Sequence, residues 1–106
     1  MKKIELERLS DALIKARDAA LSVSNCEDYG SCNFDTPMLL GIKMTQAQAD
    51  SLPVKVSKIT YGFWKGAWMV YVPLYGMAMR RTTMAEAASK SLEESGYDSC
   101  VYYQLD

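Results

Sequence analysis

Apolar and polar positions along this chain follow two rhythms. From Ile4 to about Val23, Leu6, Leu9, Leu13, Ala16 and Ala20 recur at spacings of three and four, and Ile14 and Leu21 widen the stripe. That spacing tracks the helical turn, so the segment predicts an amphipathic helix with Glu7, Lys15 and Asp18 on its opposite side. Residues 24–36, "SNCEDYGSCNFDT", are rich in turn formers and predict a loop. The apolar run "PMLLGI" that follows predicts a strand, and Thr45 predicts the N-cap of a short helix reaching Ser51, ahead of Pro53.

The second rhythm has period two. "VKVSKITYGFW" and "AWMVYV" flank Lys65-Gly66 and predict a hairpin with those two residues as its turn, Gly66 at positive φ. In that register Phe63 faces Trp68, Tyr61 faces Val70 and Ile59 faces Val72. The other face would carry Lys58, Trp64, Met69 and Tyr71, a mixture of basic and aromatic groups. Thr83 with Glu86 three residues on fits a capping box. The helix it opens would run from Met84 to Ser95 on an apolar line of Met84, Ala88 and Leu92, with Gly96 as its stop. "SCVYYQL" predicts a final strand.

The predicted order is α-β-α-β-β-α-β. It belongs to the α+β class: an antiparallel sheet of three to four strands with helices packed on it, in one domain over residues 1–106. After the first helix the order is that of a ferredoxin-like βαββαβ sheet.

Composition adds three constraints. Half the residues are apolar and a quarter charged, the balance of an ordinary globular domain. Charges run through the N-terminal segment and leave no apolar signal core; the longest uncharged stretch, Gly66 to Met79, is too short to span a bilayer. The expected setting is the cytoplasm, without membrane contact. There Cys26, Cys32 and Cys100, an odd number, are expected to be reduced.

The net charge of −1 hides an uneven distribution. Residues 54–85 hold Lys55, Lys58, Lys65, Arg80 and Arg81 and no acid, whereas residues 86–106 hold five acids and Lys90. A local basic island of this kind steers anionic partners even when the total charge does not.

Candidate chemistry is sparse. The chain has no histidine, which removes Ser-His-Asp and Cys-His catalysis and most zinc sites. No phosphate-binding loop or dinucleotide glycine pattern is present. Asp28 with Asp35, or Cys32 beside a basic group, is the chemistry that remains. The expectation is a binding protein rather than an enzyme, with no cofactor and no metal.

Two places are candidates for binding. Arg80, Arg81 and Thr82 would stand just before a helix end, where free backbone N–H groups and guanidinium donors together attract a phosphate or carboxylate. The anion would come from a ligand or partner, or from an internal carboxylate: Asp35 first, with Asn33 beside it as a further anchor, then Asp98 or Asp106. Adjacent residues diverge, so Arg81 is expected to turn inward and Arg80 outward. The second place is the mixed hairpin face with Lys58, Trp64, Lys65, Met69 and Tyr71. It suits a protein interface, and more weakly a nucleic acid.

Three pieces of the chain carry a resemblance. "GSCNFD" at residues 30–35, "RRTTMAEA" at residues 80–87 and "GYDSCVYYQLD" at residues 96–106 resemble a family of short proteins encoded by bacteriophages and mobile elements of Firmicutes. Where relatives show a Gly-Gln-Gly-Asn-like stretch before the arginines, this chain has Gly76-Met-Ala-Met79. The resemblance implies an origin, and no reaction. It points to an accessory protein in a bacterial host that binds a host or phage protein complex, such as an anti-CRISPR-like inhibitor of a CRISPR effector. A module for a phosphate-bearing small ligand at Arg80–Thr83 and a weak nucleic-acid binder are the alternatives.

Overall fold

A computed structural model describes residues 1–23, 35–72 and 78–103, with residues 78–80 described by their backbone alone. The elements are α1 (Lys3–Ser22), β1 (Thr36–Leu39), α2 (Gln46–Asp50), β2 (Lys55–Lys58), β3 (Trp68–Tyr71), α3 (Ala78–Glu94) and β4 (Ser99–Tyr102). The class is α+β and the element order is the expected one. The sheet has four strands in the order β2-β3-β1-β4, and every neighbouring pair is antiparallel. That is the strand order of a ferredoxin-like sheet, preceded here by a long helix. The helix between β1 and β2 is only five residues long, and α1 packs extensively along α3.

The core lies between the helices and one face of the sheet. Leu9, Leu13, Ala16 and Ala20 of α1 meet Met84, Ala88 and Leu92 of α3, and below them Leu39, Val56, Trp68 and Val70 of the strands. The buried line of α1 is thus the three-four stripe read from the sequence, with Leu6 half-buried at its margin and Ile4 out in solvent. Thr45 caps α2 through a complete capping box with Gln48, whose side-chain amide also donates to the Met1 carbonyl. At the far end of α3, Gly96 takes φ +94°, and the Tyr97 N–H returns to the Leu92 carbonyl at 3.0 Å. This left-handed stop lets the chain turn directly into β4.

β1 is a central strand that contains Pro37. The Leu40 N–H donates towards β4, to the Asp98 carbonyl, so by alternation position 37 faces β3. Proline offers no N–H there, and the β1–β3 ladder accordingly covers only Met38 and Leu39, while the β1–β4 ladder runs from Thr36 to Leu39.

Two expectations are overturned. The hairpin does not pair Phe63 with Trp68. Lys58 faces Trp68, Val56 faces Val70 and Lys55 faces Tyr71. The register is displaced by an odd number of residues, so β2 presents the opposite face. The reason lies in the core: Trp68 and Val70 point at the helices, and the partner strand must place a compact apolar residue beside them. Val56 fits that layer. Residues 59–67 become a long hairpin loop rather than a strand ending in a two-residue turn.

The second correction concerns α3. It begins at Ala78, so Arg80 and Arg81 lie within its first turn and Thr83 is interior, not an N-cap. Met-Ala-Met-Arg-Arg are strong helix formers, and extending the helix backwards puts Arg81 one turn before Ala85 on its buried side.

Candidate functional site

The outstanding surface feature is the loop of residues 59–67. Its backbone is internally bonded. The Ile59 N–H donates to the Ala67 carbonyl at 2.8 Å, and the Gly66 N–H donates to the Ile59 carbonyl at 2.8 Å. Inside that closure the Lys65 N–H donates to Gly62 and the Ala67 N–H to Trp64. Gly66 has φ +95°, the positive value expected of it, although the turn it serves is larger. The loop is a defined crest on the hairpin.

Aromatic side chains stand on this crest. Phe63 is 91% exposed and Tyr61 83% exposed, and the half-buried Trp64 packs edge-on to Phe63 with ring centroids 4.9 Å apart at 87°. Full exposure of large apolar rings on a folded loop marks a contact surface far more strongly than scattered single residues do. The T-shaped contact orients the Phe63 and Trp64 rings against each other on the hydrogen-bonded loop.

Grooves flank the crest on both sides. One, with a cavity volume of about 470 Å³, lies between the loop and residues 40–44, and Lys43, Lys58 and Lys65 line it together with Phe63 and Trp64. The other, about 750 Å³, lies between the loop and the sheet and is lined by Tyr61, Phe63, Trp64, Tyr102 and Tyr103, with Lys58 also at its border. The wall of the first groove is tied to the core: the Trp68 indole N–H donates to the Ile42 carbonyl at 3.2 Å, and Trp68 itself is 1% exposed. Lys58 reaches over the Trp68 ring, its ammonium 6.0 Å from the centroid.

The structure thus brings Lys58, Trp64 and Lys65 together, but not Tyr71. Tyr71 lies at the other end of the hairpin on the opposite sheet face, beside Lys55, whose ammonium is 5.8 Å from its ring. The register change separates them. Sequence reading placed Tyr61 and Phe63 inside a strand and passed over Lys43, Tyr102 and Tyr103. The signal was there for the first two: Gly62 and Gly66 bracket "FWK", and paired glycines favour a loop over a strand interior.

Arg81 and Thr82 serve another place and line neither groove. The Arg81 Nε donates to the Asp35 carbonyl oxygen at 3.1 Å, and the Thr82 hydroxyl donates to the Asp35 carboxylate at 2.6 Å. Asp35 is 4% exposed and immediately precedes β1. These bonds fasten the N-terminal turns of α3 to the start of the central strand. Asn33, Cys26, Cys32 and the side chain of Arg80 lie outside the described residues.

Among the described residues no group of three or more His, Cys, Asp or Glu side chains could hold a metal ion, and no helix is long and apolar enough to cross a membrane. Cys100 sits half-buried on β4, where desolvation, and then the charge of Glu93, push its thiol pKa above the ordinary value. No protein-family model, curated protein or solved structure matches this chain.

Proposed function

We propose that this protein acts by binding, as an accessory protein that occupies a partner protein through the aromatic crest of residues 59–67. One observation carries the reading: Phe63 and Tyr61 are almost fully exposed on a loop whose backbone is hydrogen-bonded closed. Burying each ring against a partner is worth roughly 2–3 kcal/mol before the costs of association. Trp64 beneath Phe63 supplies the rigidity of an anchor residue.

The reading requires no catalytic step and no cofactor. It places the protein in the cytoplasm of a bacterial host, and the resemblance to phage and mobile-element proteins directs the first test to host defence complexes, CRISPR effectors among them. Binding of a small phosphate at Arg80–Thr83 has less support, because α3 does not start there and Arg81 and Thr82 bond to Asp35.

The test uses tagged wild-type protein and the Tyr61→Ser/Phe63→Ser variant in host lysate, followed by reconstitution with the captured protein in purified form. The variant should melt as the wild type does and lose the partner. Equal capture by both proteins refutes the proposal.

A further inference from the structure

We infer that the hairpin face also binds single-stranded nucleic acid, its phosphates in the lysine groove and its bases against the crest aromatics. The inference rests on the reading of this face as a contact surface and narrows the partner class to nucleoprotein complexes.

The first observation is charge. Lys43, Lys58 and Lys65 converge on one groove, and among the described residues no acidic side chain lines it. All three are exposed, so their charges are free to meet an incoming anion rather than being spent in the core. A protein of net charge −1 has no general attraction for polyanions. Three ammonium groups gathered on one groove create that attraction locally.

The second observation is the placement of the rings. Phe63 and Trp64 border the lysine groove, and the same two rings with Tyr61, Tyr102 and Tyr103 border the groove across the crest. Tyr103 is 64% exposed. A strand laid over the crest therefore meets cations on one side and open π faces on the other. This is how sequence-tolerant single-strand binders divide their work, since every base has a face to stack and every nucleotide a phosphate. A duplex does not fit this division, because its bases are already stacked.

The third observation decides between nucleic acid and an acidic peptide. Protein interfaces are depleted in lysine. The crest sets its exposed rings beside lysines, the pairing of stacking faces and cations that single-strand binders use. Lys58 borders both grooves and so stands where backbone and base of one nucleotide would separate.

The experiment is fluorescence anisotropy of a fluorescein-labelled oligothymidylate of about twelve nucleotides, a length in the range single-strand modules cover. The full chain is titrated at several salt concentrations, with labelled polyglutamate of equal charge in parallel. Three phosphate contacts give a slope of log affinity against log salt of about −2, at roughly −0.7 per contact. Lys43→Glu/Lys65→Glu should abolish binding while melting as the wild type does, and Phe63→Ser should weaken it roughly tenfold through lost stacking. Absence of binding at low salt overturns the inference, as does binding that both variants retain. Polyglutamate binding as tightly as the oligonucleotide also overturns it, in favour of an acidic peptide. A protein partner captured through Tyr61 and Phe63, without oligonucleotide binding, leaves the proposed function standing and removes this inference. Oligonucleotide binding with no captured protein does the reverse.

Discussion

Replacing Thr82 by valine keeps the shape of the side chain and removes one hydroxyl. That hydroxyl donates at 2.6 Å to the carboxylate of Asp35, which is 4% exposed. Water cannot easily replace the lost donor at so enclosed a position. A hydrogen bond to a charged group is worth about 1.5–3 kcal/mol, and a buried acceptor left short of a partner bears its desolvation penalty in addition. A loss of about 2 kcal/mol is expected. At about 2.1 cal/mol/K per residue, a chain of this length loses about 9 °C of melting temperature for that change. The assay is thermal and urea unfolding of wild type, Thr82→Val, Asp35→Ala and the double variant. In the Asp35→Ala background the Thr82 substitution should cost clearly less than in the wild type, because this acceptor has gone. An equal cost in both backgrounds refutes the reasoning, since the effect would then come from valine in the helix and not from the bond between α3 and β1. A Thr82→Val protein as stable as the wild type would show that the tie contributes nothing.

Three other outcomes are expected. Gly66→Val should cost about 1–3 kcal/mol, because φ of +95° is strained for a β-branched residue although the space around the position is open; an unchanged unfolding midpoint would contradict that. Leu13→Ala, at a core site of α1 with no exposure, should lose about 2–5 kcal/mol in urea unfolding, and a loss below about 1 kcal/mol would mean the helix layer repacks. In a Cys26→Ser/Cys32→Ser protein, the iodoacetamide rate at Cys100 should reach half its plateau at a higher pH than that of a free cysteine in an unstructured peptide, because burial and Glu93 hold the thiol protonated; a midpoint at or below the peptide's would refute the raised pKa.

What could be read from the chain alone were the features set by neighbours in sequence. The stripe of Leu9, Leu13, Ala16 and Ala20 specifies a helix and its inner face, because helical periodicity is local. Thr45 and Gln48 specify the start of α2 through a reciprocal pair of bonds three residues apart. Gly96 specifies the end of α3 through a backbone angle that favours glycine. These local signals, with the period-two segments between them, already imply an α+β domain with a sheet of three to four strands.

The register of the hairpin was not local. Two alternating segments pair in several registers, and each looks consistent when only the two strands are considered. The choice fell to the third layer, where α1 and α3 meet Trp68 and Val70 and admit Val56 but not a column of Ile59, Tyr61 and Phe63. That decision carried the aromatics out of the sheet and onto the crest. The groove was equally invisible in one dimension, because Lys43 lies on a segment that Trp68 holds against the hairpin through the Ile42 carbonyl, a contact across 26 positions. Local periodicity decides which residues form an element; packing between elements decides which of its faces, and which of its charges, meet the solvent.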